Sequence, residues 1–295
     1  MHGLTSYVPT ADGLRLHCER RGSGPHAVIV PSASWVARDM DALAPGKSVI
    51  FYDIRGRGRS SAILDDAALG LEKDVEDLER LRVAFGLESV ALLGWSYHGA
   101  LTARYALAHP ERVERMVLVG PTAPAEEPYW MEFLERFGRR VDPRWLREID
   151  ALRRQGIKRT DPLRWCRAVH SVFFRAYVVD PAALEHMKSC PCVEPNLDAD
   201  RVNDQGRRLL EKLGKYDWRT EFRALPTPTL LLHGVEDPVA LSGTEDWHRV
   251  LPDSRLVVWE KIGHMPWIEA PERFFATVNA FLDGAWPAEA RDQRS

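Results

Sequence analysis

The sequence predicts an α/β protein in which a mostly parallel, doubly wound sheet carries an inserted helical cap. Largely continuous apolar runs occur at residues 26–30, 48–52, 89–93 and 115–120. They lack the alternation of a half-exposed strand and are typical of buried parallel strands. Apolar residues at helical spacing lie between these runs, as at residues 71–85. A long segment without such runs then interrupts the strands, which indicates an insertion into one sheet.

The remaining elements fix the predicted domain boundaries. An N-terminal antiparallel hairpin is predicted at residues 5–8 and 14–19, because Asp12-Gly13 between them favours a tight turn. Amphipathic helices are predicted at residues 130–137, 143–154, 162–177, 181–187 and 201–213. Strands resume at residues 229–233 and 254–259, and a last helix covers residues 271–282. We therefore expect a core of residues 1–121 and 222–295 and a cap of residues 122–221.

Composition excludes several classes of function. The chain has 295 residues, of which 45% are hydrophobic, which is enough for one large core and a smaller second domain. Its formal net charge of -3 and the lack of a basic region with interleaved aromatic residues argue against nucleic acid as a partner. No apolar run approaches the roughly 18 residues of a membrane span, and the first residues lack the features of a signal peptide. We expect no membrane partner and a cytoplasmic location.

The cysteines do not indicate a metal site. They are Cys18, Cys166, Cys190 and Cys192. Cys190 and Cys192 are separated by one residue and have no matching Cys or His pair, which is a poor pattern for zinc. We expect ordinary thiols, no metal and no cofactor.

The segment Gly94-Trp95-Ser96-Tyr97-His98-Gly99 is the strongest functional signal. A buried strand that passes through a tight turn into a helix places the Ser96 hydroxyl at the apex of the turn, as in a nucleophile elbow. The pattern G-x-S-x-G is matched only in part, because His98 stands where the second glycine is usual. Ser96 as a simple helix cap is the alternative. For His98, three roles stay open: packing beneath the elbow, shaping the pocket, or acting as a second base.

An acid and a base follow the last two predicted strands. Asp237 comes after the strand at residues 229–233, and His264 comes after the strand at residues 254–259. The carboxyl ends of parallel strands meet at one edge of a sheet, where sites of such proteins lie. A serine becomes nucleophilic when an imidazole takes its proton and a carboxylate orients that imidazole. The order Ser96, Asp237, His264 therefore predicts a catalytic triad, with Glu236 as an alternative to Asp237.

Over roughly residues 5 to 282, the chain resembles the α/β-hydrolase superfamily. The resemblance rests on the segments 94–99, 234–237 and 263–264, and on Tyr52 to Ser60, which is similar to the D-x-R-G-x-G-x-S turn of the proline-iminopeptidase-like branch. It implies Ser96 as nucleophile, His264 as general base and acid, and Asp237 as the residue that orients His264. Asp53 and Arg55 in that turn are expected to form a structural ion pair or a brace.

The oxyanion hole departs from the family pattern. Acyl transfer uses two amide donors, one from the residue after the nucleophile and one from the loop after the strand at residues 26–30. The resemblance assigns the backbone amides of Tyr97 and Ala33 to these positions. Where proline iminopeptidases have H-G-G-P-G, this chain has Pro31-Ser32-Ala33-Ser34-Trp35, which leaves the geometry of the hole and the peptidase specificity open.

The expected pocket is apolar and of moderate size. Trp35, Trp95 and Tyr97 lie on the two loops that should face Ser96, and the cap adds aromatic residues such as Trp130, Phe173 and Phe174. His98 is a further candidate for the pocket. A substrate with a free amine would need acidic cap residues, for which Glu185 and Glu194 are candidates by location. Residues 137–170 contain ten Lys or Arg residues and four Asp or Glu residues, which indicates a solvated face or a surface for an anionic substrate or acidic carrier protein.

The sequence thus predicts a serine hydrolase that cleaves a small amide or ester through an acyl-enzyme, with proline-iminopeptidase-like activity as one form. One alternative is an esterase or thioesterase of secondary metabolism. Another is a non-hydrolytic protein that binds a ligand or directs a cyclisation or elimination, which His98 and the absent glycine loop suggest. An aspartate-nucleophile reaction is disfavoured because the elbow carries serine.

Overall fold

The computed structural model describes residues 4–292, which form a nine-stranded mixed sheet. The strands are β1 (Leu4–Pro9), β2 (Arg15–Arg21), β3 (His26–Pro31), β4 (Lys47–Tyr52), β5 (Val90–Trp95), β6 (Val113–Val119), β7 (Thr229–Gly234), β8 (Ser254–Trp259) and β9 (Arg291–Asp292). Their order is β1-β2-β4-β3-β5-β6-β7-β8-β9. Strands β3 to β8 are parallel, whereas β1, β2 and β9 pair antiparallel at the edges. The predicted doubly wound sheet is confirmed.

Helices cover the sheet and build the insertion. They are α1 (Ala33–Val36), α2 (Leu71–Ala84), α3 (Tyr97–Ala108), α4 (Tyr129–Arg140), α5 (Pro143–Arg154), α6 (Ile157–Thr160), α7 (Pro162–Tyr177), α8 (Ala199–Leu213), α9 (Leu241–Val250), α10 (Pro266–Glu269) and α11 (Pro271–Leu282). The α-helix predicted at residues 181–187 is a 3-10 helix, Pro181–His186. None of the helices within residues 4–292 is both long and apolar enough to cross a membrane.

Two hydrophobic clusters occupy the two faces of the sheet. Leu92 belongs to one cluster and its neighbour Leu93 to the other, and the same holds for Ile29 and Val28 on β3. Successive side chains of a strand point to opposite faces, so a strand buried on both faces needs apolar residues at every position. This explains the continuous apolar runs of the sequence.

The helical insertion lies between β6 and β7 and contains α4 to α8. A disulfide joins Cys166 in α7 to Cys192, with Cα atoms 5.7 Å apart, whereas Cys18 and Cys190 are free. The expectation of four ordinary thiols is therefore wrong. The two paired residues are 26 positions apart in sequence, and their spacing does not reveal that the fold brings them together.

The turn after β4 braces the core through two separate carboxylates. Arg55 donates to both oxygens of buried Asp77 at 2.8 and 2.7 Å, and to Asp12 at 2.8 Å. Asp53 instead accepts hydrogen bonds from the amide and hydroxyl of Ser34, both at 2.7 Å, and from the Arg59 amide at 3.0 Å. Asp53 and Arg55 therefore act as two braces and not as one ion pair.

Replacement of Asp77 by alanine is expected to lower the free energy of unfolding by about 3–5 kcal/mol, because it leaves the buried Arg55 guanidinium without its bidentate partner. Glu76→Ala is the matched control, since Glu76 pairs with Arg80 on the exposed face of the same helix, and should cost less than about 1 kcal/mol. Urea unfolding followed by circular dichroism measures both. Equal losses in the two variants would contradict the assignment of the Arg55–Asp77 pair as a brace.

Candidate active site

The elbow places Ser96 between β5 and α3. Its φ of 56° and ψ of -127° lie outside the regions that most side chains adopt, and its side chain makes no capping hydrogen bond to α3. A Cβ at Gly94 would lie 2.3 Å from the His98 carbonyl oxygen, and a Cβ at Gly99 would lie 2.8 Å from Pro121. These two glycines allow the close approach of strand and helix. Because the Ser96 side chain makes no capping hydrogen bond, the helix-cap alternative is wrong. His98 lies within α3, where the backbone conformation does not require glycine.

Asp237 and His264 form a buried pair at the ends of β7 and β8. The Asp237 Oδ2 atom lies 2.7 Å from His264 Nδ1, and its Oδ1 accepts from the Val239 amide at 2.7 Å. The Nε2 atom of His264 is buried and makes no hydrogen bond to any residue in the range 4–292. A Cβ at Gly120 would lie 2.6 Å from Asp237 Oδ2, so this glycine leaves room for the pair. Glu236 is exposed.

Contacts from the elbow and from the cap hold the His264 ring. The His264 amide donates to the carbonyl of Tyr177 at the end of α7, at 2.7 Å, and the Trp95 indole donates to the His264 carbonyl at 2.8 Å. The ring centroid lies 4.7 Å from that of Tyr177 and 5.0 Å from that of Trp95. The position of His264 therefore depends on the residue before Ser96 and on the cap.

The loop after β3 is tied to the elbow by His98. Ser32 has a left-handed backbone with φ of 72°, and its Oγ lies 2.9 Å from His98 Nε2. Burial and the nearby Arg57 cation lower the pKa of His98 to about 4, so its ring is neutral at pH 7. The ring contacts Ser32 and lines the cavity, which favours its role in shaping the pocket over a role as second base.

The amides of Ala33 and Tyr97 begin two helices. Ala33 is the first residue of α1 and Tyr97 the first of α3. The first amides of a helix have no acceptor within that helix and are available to an anion. Both positions agree with an oxyanion hole. That the two amides donate to the same oxygen atom of the substrate stays a prediction.

A cavity of about 760 Å³ opens beside Ser96. Its aromatic lining comes from the core loops and from the cap: Trp35, Trp95, Tyr97, Tyr129, Trp130, Phe133, Phe173, Tyr177 and Tyr216. Trp35, Trp95 and His98 line this cavity together with Ser96. Phe174 is absent from the lining and packs on Trp35, with centroids 5.2 Å apart. Glu185 and Glu194 are exposed and absent from the cavity wall, so their placement in the pocket is wrong.

Comparison with known proteins gives the family. A family model described as alpha/beta hydrolase fold matches residues 31–271. The chain belongs to the α/β-hydrolase fold family. It is 27% identical over 275 residues to a proline iminopeptidase of Heyndrickxia coagulans, covering 90% of this chain and 93% of that protein.

Other similar proteins are esterases. The chain is 27% identical over 280 residues to a pimeloyl-[acyl-carrier protein] methyl ester esterase of Nitrosomonas europaea, covering 90% of this chain and 98% of that protein. Among solved structures, an esterase from Exiguobacterium antarcticum has a TM-score of 0.71 at 22% identity, covering 95% of this chain and all of that one. The predicted α/β-hydrolase fold and hydrolytic activity are confirmed.

Four charged residues that were not predicted for the pocket line the cavity of this α/β-hydrolase: Arg57, Glu126, Arg207 and Glu211. Arg207 and Glu211 pair with each other, which leaves Arg57 and Glu126. Arg57 occupies a variable position of the turn after β4, and Glu126 follows β6. The Oε2 atom of Glu126 is buried and has no hydrogen-bond partner among the residues described. The motif of that turn does not specify Arg57, Glu126 lies outside the motifs, and the cavity that they face exists only once the cap covers the core.

Another ionisable residue, Asp74, lies buried beneath the elbow of the hydrolase. Asp74 in α2 is 2% exposed and accepts a hydrogen bond of 2.8 Å from the Tyr97 hydroxyl. Burial raises the pKa of Asp74 to about 7 from its usual 3.8. Between these two pH values the folded protein therefore binds a proton that the unfolded chain releases, so the stability that this proton provides falls as pH rises.

The variant Asp74→Asn is expected to be more stable than the wild type at pH 8, because it removes the buried negative charge and keeps an acceptor for Tyr97. At pH 4 the difference should nearly vanish, since Asp74 is then protonated. Thermal unfolding of both proteins from pH 4 to 8 measures this. Exposed Glu72 on the same helix gives the control Glu72→Gln, and an unchanged pH slope in Asp74→Asn would count against the raised pKa.

Proposed function

We propose that the chain is a serine hydrolase that cleaves a small ester or amide through an acyl-enzyme, with Ser96, His264 and Asp237 as the triad. The observation that carries this proposal is the buried Asp237–His264 pair, 2.7 Å apart, whose imidazole keeps an unpartnered Nε2. Trp95, which directly precedes Ser96, donates to the His264 carbonyl and so links the pair to the elbow.

In the proposed mechanism, His264 acts first as a base and then as an acid in each half-reaction. His264 Nε2 takes the proton of the Ser96 hydroxyl as its Oγ attacks the substrate carbonyl, and Asp237 stabilises the imidazolium through Nδ1. The amides of Ala33 and Tyr97 donate to the oxyanion. The imidazolium then protonates the leaving group, which breaks the ester or amide bond. Water, deprotonated by His264, then attacks the acyl carbon, and the imidazolium returns the proton to Ser96 Oγ as the bond between this oxygen and the acyl group breaks.

The cavity favours an apolar substrate of moderate size, because aromatic side chains form much of its wall. An ester on an acidic carrier protein is the related proposal, since one relative is an esterase of an acyl-carrier-protein ester and the cap is rich in arginine. Local ion pairs already engage Arg139, Arg144, Arg153 and Lys158 of this segment. A solvated cap face therefore has the stronger support. The cytoplasmic location stays a prediction.

A fluorophosphonate probe is expected to label Ser96 alone among the serines, and Ser96→Ala should abolish labelling. Asp237→Asn should lower kcat for a 4-nitrophenyl ester by about 10³–10⁴-fold, because the imidazole loses the partner that fixes its tautomer. Peptide mass spectrometry and initial rates measure the two effects.

Glu236→Gln is the control for the acid, since Glu236 is exposed beside Asp237 and should retain nearly full activity. A folded wild-type protein that is not labelled and does not hydrolyse esters, amides or thioesters would refute the serine-hydrolase proposal. Such a result would favour the non-hydrolytic alternative.

A second candidate function is an aminopeptidase that requires a free amine, and Glu126 is the observation that favours it. This residue puts a carboxylate with an unpartnered Oε2 into the wall of the cavity that contains Ser96. An ammonium group of the substrate would supply the missing partner of that buried carboxylate. The similarity to a proline iminopeptidase agrees with this candidate.

Glu126→Gln is expected to reduce kcat/KM for proline 4-nitroanilide at least about tenfold, since it removes the charge that would bind the ammonium. The 4-nitroanilide of cyclopentanecarboxylic acid has the same shape without the amine, and its kcat/KM should change little. Exposed Glu127 provides the control Glu127→Gln. Turnover of both anilides at equal rates by the wild type would exclude recognition of the amine.

A further inference from the structure

We propose that Arg57 forms an anion subsite in the active-site cavity and that the natural substrate carries a carboxylate. This inference rests on the proposed serine-hydrolase function and adds a class of substrate to it. The acyl group or the leaving group would bring the carboxylate to Arg57 while its ester or amide carbonyl lies at Ser96.

The Arg57 guanidinium lacks an ion-pair partner among residues 4–292. Its one hydrogen bond to the protein runs from Nη1 to the Gly56 carbonyl, at 3.3 Å. The other two arginines of the same turn are paired, Arg55 with Asp77 and Arg59 with Glu19. Arg57 is thus the member of the three that faces the cavity and keeps its donors free.

The surroundings of Arg57 do not neutralise its charge. Burial lowers the pKa of Arg57 to about 10, which leaves the side chain a cation at pH 7. Asp74 is the carboxylate with the largest electrostatic effect on the pKa of Arg57. Burial keeps Asp74 largely protonated below about pH 7, and its carboxyl group already accepts a hydrogen bond from the Tyr97 hydroxyl. Arg201 adds a repulsive positive charge. Arg57 is half-buried, and a cation that has lost part of its hydration gains from an anion that enters the cavity.

Helix α8 leaves space for the Arg57 side chain. Gly206 lies in the interior of this helix, where glycine costs roughly 1 kcal/mol relative to alanine. A Cβ at this position would lie 3.1 Å from Arg57 Nη2, so the missing side chain makes room for the guanidinium. The planar fork of an arginine matches a carboxylate through two parallel hydrogen bonds. The site therefore combines a cation in the cavity wall, free hydrogen-bond donors on that cation, and space beside Gly206 for its side chain.

The rest of the cavity defines the other end of the substrate. Aromatic side chains of the cap, among them Trp130, Phe133 and Phe173, form an apolar wall. A volume of about 760 Å³ accommodates a chain or ring of moderate size together with a terminal carboxylate. Compounds with an apolar body and a carboxylate fit the aromatic wall and Arg57, and an ammonium group on the same compound would add a partner for Glu126 Oε2.

Two pairs of esters test the subsite, and each pair differs only in the carboxylate. On the acyl side, the 4-nitrophenyl monoester of adipic acid is compared with 4-nitrophenyl hexanoate. On the leaving-group side, the hexanoyl ester of 4-hydroxybenzoate is compared with phenyl hexanoate. The wild type should prefer the charged member of at least one pair by at least about tenfold in kcat/KM. Arg57→Met should abolish that preference while kcat/KM for the neutral ester stays within about threefold.

Arg59→Met is the matched control, because Arg59 lies two residues away, is partly exposed and pairs with Glu19. It should keep the preference of the wild type. No preference in either pair, an equal loss for charged and neutral esters in Arg57→Met, or the same loss in Arg59→Met would overturn the subsite. If the wild type hydrolyses the neutral esters and Ser96→Ala does not, the proposed serine-hydrolase function would stand although the subsite fails.

A binding measurement separates the two proposals if no ester is hydrolysed. Monomethyl adipate is titrated into the folded wild type and Arg57→Met, and the quenching of tryptophan fluorescence is followed, since Trp35 and Trp95 line the cavity. Saturable binding that weakens at least about tenfold in Arg57→Met would support the subsite although the proposed hydrolysis fails. Equal binding, or none, would overturn it.

Discussion

The buried carboxylate of Asp53 holds together the two loops on which the active site depends. It accepts from the amide and hydroxyl of Ser34 on the loop after β3, and from the amide of Arg59 on the turn after β4. The first loop carries Ala33 and the second carries Arg57. A Cβ at Gly58 would lie 2.2 Å from the Asp53 carboxylate, so the glycine of this turn is required by that contact. One acidic side chain thereby fixes the proposed oxyanion donor and the proposed anion subsite relative to each other.

His98 explains how this chain manages without the glycine-rich loop of the proline-iminopeptidase-like branch. Its imidazole lies between the elbow and the loop after β3 and contacts Ser32, whose backbone is left-handed. The low pKa keeps the ring uncharged, which avoids an unpaired cation beside Arg57. The two departures from the family pattern, at residues 31–35 and at residue 98, are therefore in direct contact.

The sequence was most informative where burial alone determines the structure. Continuous apolar runs predicted the central strands because both faces of the sheet are covered, and the carboxyl ends of those strands then placed Ser96, Asp237 and His264. Arg57, Glu126 and the bond between Cys166 and Cys192 were missed for a common physical reason. The disulfide depends on a contact within the cap, and the exposure of Arg57 and Glu126 to the cavity depends on the packing of the cap against the core. Contacts between residues that are distant in sequence leave no periodic pattern in the sequence.

The hydrogen bond from the His264 amide to the Tyr177 carbonyl links the cap to the proposed catalytic base. Arg136 in α4 adds a second link, since it donates to the Asp237 carbonyl at 2.7 Å. Lifting the whole cap would break both links and release the acid and the base together. The position of the cap and the geometry of the proposed acid and base are therefore coupled, because each member of the Asp237–His264 pair has a backbone hydrogen bond to the cap.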